Sequence, residues 1–141
     1  MKTNLYTGEK KTLHVLNDLI RINIDRTAGF ERASHEERTP GPELRETLYR
    51  MAVESRSYVN DLHAKVIRMG GAPVTHATTT GKIYLHWLES KKDGQAAERA
   101  YHQALDEHLP EELHQLIENQ LWSLERAHQR LQQLTPDDQH Y

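Results

Sequence analysis

One stretch of the chain has the spacing of a metal-ligating motif: Glu125-Arg126-Ala127-His128. Residues three apart share a helical face, so a carboxylate and an imidazole at this spacing can reach the same ion. A pair of ions held between four helices needs more than this. Two helices must each give one Glu and the other two Glu-x-x-His, all directed inward. Several oxygens bridge the two cations, and imidazole nitrogens complete each coordination sphere. Only part of that set can be found. Glu54 lies midway along the second helical segment, but Ser57 stands three residues further on, where the second imidazole would be. The inward stripe of the first segment presents Asn23 and Thr27, and that of the third presents Ser90 and Gly94, so neither offers a carboxylate. The expected metal set is therefore Glu54, Glu125 and His128. It suffices for one iron, zinc or manganese ion with water completing the sphere, and falls short of a bridged pair. The plainer reading of the same residues is a solvated Glu54 and an exposed Glu125 beside a half-buried His128.

A second cluster is weaker. His14 and Asp18 lie one turn apart, and an antiparallel second helix would bring His63 to about their level. His63 is nine residues from Glu54, about 13 Å along a helix, so it cannot replace the imidazole missing at Ser57. Trp87, Tyr58 and Tyr101 fall on apolar stripes and read as core residues. Trp122 lies off the stripe of its helix, at the edge of the core or at an interface.

Positioning any of these groups requires helices, and the pattern of the chain supplies four. Leu13, Leu16, Ile20, Thr27 and Phe30 follow three- and four-residue steps and predict a helix from about Lys10 to Ala33. Thr39-Pro40-Gly41-Pro42 then breaks it. Leu44, Leu48, Met51, Ser55, Tyr58, Leu62, Val66 and Met69 mark a second helix, stopped by Gly70-Gly71 and Pro73. Gly70 to Thr80 reads as a linker, long enough for a crossover along the bundle. Ile83, Trp87, Gly94, Ala97, Tyr101 and Ala104 predict a third helix, read as one piece with a kink near Gly94, although Lys91-Lys92-Asp93-Gly94 could also break it in two. The fourth opens at Pro110 with Glu111 and Glu112 in its first turn, where carboxylates suit the helix dipole. Leu113, Ile117, Gln120, Leu124, His128, Leu131 and Leu134 form its stripe, and Thr135-Pro136 ends it before a short mobile tail. The expected fold class is all-α: two antiparallel helical hairpins joined by a crossover linker, in a single domain spanning the 141 residues with its core at about 10–134.

Composition narrows the function. Eighteen basic and twenty-one acidic residues give a net charge of -3 without a basic block, which argues against nucleic acid. No apolar run is long enough to span a bilayer, and a cytoplasmic protein is expected. Without cysteine there are no disulfides, thiolate nucleophiles or iron–sulfur clusters. Ten histidines are scattered rather than grouped. No nucleophile motif or phosphate-binding loop is present, so whether the chain is an enzyme stays open, with the reading leaning to no.

Leu16-Asn17-Asp18-Leu19-Ile20, Ala28-Gly29-Phe30, Arg68-Met69-Gly70-Gly71-Ala72-Pro73, Ala100-Tyr101-His102-Gln103-Ala104-Leu105 and Ala127-His128-Gln129-Arg130-Leu131 are short motifs in a fixed order. On these the chain resembles the bacterial ferritin-like four-helix-bundle family catalogued as a domain of unknown function. The resemblance implies kinship with rubrerythrin-like and ferritin-like di-iron bundles. It places Thr27 and Gly94 where such relatives carry single glutamates and Ser57 where one histidine would be, leaving Glu54, Glu125 and His128 in register. The expectation is a degenerate site in a non-catalytic structural or stress-associated interaction protein, with no cofactor and an unknown protein partner or a homodimer. The alternative is a metalloprotein binding one ion in a redox or storage role.

Overall fold

The computed structural model describes residues 7–36, 41–76 and 92–134, and they form an all-α four-helix bundle. Helix α1 spans Thr7–Ser34, α2 Pro42–Arg68, α3 Lys92–Leu105 and α4 Glu111–Leu134. The boundaries follow from local chemistry. Pro42 sits at the start of α2, where its missing N–H costs nothing, behind Gly41 as N-cap. At the other end Gly70 has φ of 83°, conformational space that a Cβ disfavours. Gly71 N donates to Val66 O at 3.0 Å and Gly70 N to Ile67 O at 2.9 Å, the paired bonds of a Schellman stop. Helix α3 runs through Gly94 without interruption from Lys92 onward, and the residues just before Lys92 lie outside the described ones. The Ile83 to Ser90 part of the expected third helix, Trp87 included, lies outside the described residues, as does the tail from Thr135. So does part of the expected crossover linker, whose residues are described only as far as His76.

Helix directions follow from the pairs that join them. Asn17 Nδ2 donates to Ala72 O at 3.2 Å and Arg45 Nη1 to Ser34 O at 3.4 Å, so α1 and α2 are antiparallel. Lys11–Glu107 at 3.2 Å and Asn23–Tyr101 at 2.7 Å set α3 antiparallel to α1. Lys65–Glu112 at 2.6 Å and Gln120 Nε2 to Tyr58 O at 3.4 Å set α4 antiparallel to α2. Helices α2 and α3 therefore run in the same direction.

The core is built from the stripes that the periodicity marked. Leu16, Ile20, Leu48, Met51, Leu62, Leu124 and Leu131 are buried, while Leu116 is only partly so. No described helix is long and apolar enough to cross a membrane. The apolar core is interrupted near mid-height, where Asn23, Arg26, Ser55, Gln120 and His128 are buried together with Tyr58 and Tyr101.

Candidate functional site: a buried arginine at the bundle centre

Helix α1 turns Leu16, Leu19, Asn23, Arg26 and Phe30 to the interior in steps of three and four, which brings Arg26 to 1% exposure. Thr27 lies beside this line, half-buried, its Oγ1 donating back to Asn23 O at 2.8 Å. The arginine Nη1 reaches across the bundle to His128 Nε2 at 2.8 Å, and its guanidinium carbon lies 4.9 Å from the centre of the Phe30 ring. On the far side of the imidazole, His128 Nδ1 is 2.7 Å from Glu98 Oε2 of α3.

These contacts assign the imidazole tautomer. Arginine has only donors, so Nε2 must accept, and the ring proton sits on Nδ1, from which it is donated to Glu98. Burial, reinforced by the adjacent guanidinium, pulls the His128 pKa down to about 3. The Glu98 contact is thus a hydrogen bond from a neutral ring rather than an ion pair at neutral pH. Burial also lowers the Arg26 pKa, to about 10, against the opposing influence of Tyr101, Tyr58, Glu54 and Glu98. Arg26 stays positively charged. Glu54 is shifted up from the usual carboxylate range by burial, with Arg26 and Arg50 opposing. Glu98 is shifted up by burial and by its neighbour Glu125, with His102 and Arg26 opposing.

One turn back along α1, a second polar chain joins all four helices. Asn23 Nδ2 donates to Tyr101 OH at 2.7 Å, that hydroxyl donates to Gln120 Oε1 at 2.7 Å, and Gln120 Nε2 donates to Tyr58 O at 3.4 Å. Its burial raises the Tyr101 phenol far above its ordinary value, so the hydroxyl is a permanent donor. The network is not fully satisfied, because Asn23 Oδ1 is buried without a hydrogen-bond partner among the described residues.

The expected metal residues are divided by this geometry. Glu54 and His128 both act on Arg26, one through its field and the other through a direct bond. Glu125 instead sits on the α3–α4 flank, with its Oε2 3.3 Å from His102 Nε2. Among the described residues no group of three or more His, Cys, Asp or Glu side chains is disposed to hold an ion. A metal does not fit the centre as built, because the imidazole lone pair it would take is committed to Arg26 and a fixed positive charge is already there. His14 Nε2 meets Asp18 Oδ2 at 3.3 Å, but Asp18 also holds Arg21 at 3.0 Å, and both carboxylate contacts are exposed to solvent.

Sequence reasoning missed Arg26 and Glu98. The signal for Arg26 was available in its spacing, three residues after Asn23 and four before Phe30, but a charged residue on an apolar stripe is ordinarily assigned to its edge. Glu98 lies next to the buried Ala97 and three residues before the buried Tyr101, so it borders the inward face of α3.

A family model described as a domain of unknown function, DUF2383, matches residues 11–95, more than half of the chain. No curated protein matches it.

Proposed function

We propose, from the premise that the chain belongs to this family of unknown function, that it is a ferritin-like bundle with a degenerate di-iron site, which acts through its surface as a non-catalytic structural or stress-associated interaction protein. The observation that carries this reading is the 2.8 Å contact between Arg26 and His128. The guanidinium stands among Glu54, Glu98 and His128, ligand-type side chains from the other three helices, and supplies the positive charge that an ion would otherwise bring. A buried charge is tolerated when it is paired, and removing it from a low-dielectric site to admit an ion would leave the neighbours to reorganise around a different geometry. The parallel course of α2 and α3 supports the ferritin-like comparison.

The alternative, one ion held by Glu54, Glu125 and His128, requires Arg26 to leave His128 and Glu125 to leave His102. Metal analysis of protein purified without a tag separates the two readings. Substoichiometric metal, unchanged when Glu54 is replaced by Gln, is expected. One tightly held ion per chain that is lost in Glu54→Gln would favour the metalloprotein.

A further inference from the structure

Helices α2 and α4 enclose a shallow, solvent-open groove of about 280 Å³, lined by Arg50, Glu54, Trp122, Arg126 and Arg130 among others. Trp122 is 62% exposed, the largest side chain among the exposed hydrophobic residues of the described chain. The Arg126 guanidinium lies 4.7 Å from its ring centre, which holds the indole against the helix surface. Among the described residues Arg126 makes no ion pair. Arg50 and Arg130 do, with Glu46 at 3.0 Å and Glu43 at 3.7 Å, but all four partners are exposed by half or more. Exposed pairs of this kind contribute little and open readily to a better partner. Glu54, the one carboxylate lining the groove, is half-buried and lies within the fields of both Arg26 and Arg50.

We propose that this groove is the docking surface for an acidic segment of a protein partner, with Trp122 as its apolar anchor and Arg126 and Arg130 as its carboxylate-binding groups. The inference rests on the surface-acting reading above and names its surface and partner chemistry. Arg126 has no ion pair among the described residues, and the exposed partners of Arg50 and Arg130 can give way to a better one, so charge complementarity selects an anionic occupant. The groove is smaller and more open than pockets that bury a small molecule, and an exposed Trp beside Arg is the composition of protein interface hot spots. A second copy placed symmetrically on this face would set the same arginines against each other, which like-charge repulsion disfavours. Nucleic acid would find these arginines on a chain whose net charge is -3, with repulsion elsewhere.

The test titrates the intact protein with a short fluorescein-labelled peptide of alternating glutamate and leucine, followed by anisotropy. A matched lysine and leucine peptide and a single-stranded DNA oligonucleotide serve as controls. Saturable binding of the acidic peptide alone is expected, weakened roughly tenfold or more by Arg126→Glu and by Trp122→Ala, as for hot-spot residues. Both sites are on the surface, and circular dichroism confirms that the variants remain folded. No binding of the acidic peptide, binding that neither substitution alters, or preferential binding of the oligonucleotide would overturn the proposal. The surface-acting reading fails on a different result, a tightly held ion in metal analysis, so the two failures are distinguishable.

Discussion

Arg26 and His128 meet at 2.8 Å near the middle of the bundle, 102 residues apart in sequence, with the arginine donating to an imidazole that passes its own proton toward Glu98. A cation that belongs to the polypeptide thus takes the central position, and the ligand-type residues around it become its hydrogen-bonding and electrostatic partners.

Truncation of Arg26 leaves His128 Nε2 buried without its donor. Arg26→Ala is expected to destabilise the domain by roughly 1–3 kcal/mol, the cost of a buried acceptor left without its partner, with the cavity adding to it. Arg26→Met restores the volume but not the donor, so it is expected to cost nearly as much. Urea denaturation of both variants measures the difference, and a Met variant close to wild type in stability would mean that packing rather than the hydrogen bond is what Arg26 supplies.

The pH dependence of stability follows from His128. Its folded pKa of about 3 lies below the ordinary value of 6.5, so between these values the unfolded chain binds the proton more readily. The resulting stability is fully present above about pH 6.5 and is lost as pH falls toward 3, on the order of 5 kcal/mol in all. Glu54 and Glu98, both shifted up, act with the opposite sign, since their folded forms take up protons first as pH falls. Thermal midpoints of wild type and His128→Gln across this range should diverge at neutral pH and converge in acid.

Tyr101→Phe removes the hydroxyl that Asn23 and Gln120 share while preserving the ring. About 1–3 kcal/mol is expected to be lost, the cost of leaving a buried polar group without a partner. A variant as stable as wild type would show that Gln120 finds another donor.

Leu48 and Leu124 are both fully buried, and replacement of either by Ala is expected to cost roughly 2–5 kcal/mol. Glu54→Ala should cost far less, because burial already disfavours its charged form. A thermal scan in which Glu54→Ala proves the most damaging change would make Glu54 an essential partner of Arg26.

The architecture was legible in the sequence because helical packing is written in apolar spacing: Leu44 to Val66 on α2 and Leu113 to Leu131 on α4 are buried as the periodicity required. The centre was legible only in part. His128 fell on its stripe, but the residue that occupies it, Arg26, was hidden by its charge, since side-chain periodicity cannot say whether a charged residue at the border of a face turns inward to a partner on another helix. Glu125 misleads for the converse reason. Its spacing from His128 suits a shared ligand site, yet the flank of α3 presents His102, and the carboxylate turns there. Pairings between helices, not spacing within them, decide the site.

The most direct measurement is anaerobic loading of the untagged protein with ferrous iron, followed by oxygen exposure, with stoichiometry and the absorption spectrum recorded. With Arg26 bonded to His128, at most one weakly held iron per chain and no oxo-bridged band are expected, unaffected by Glu54→Gln. Two irons per chain with an oxo-bridged absorption band would contradict the account, because they would require Arg26 to yield the centre of the bundle to metal.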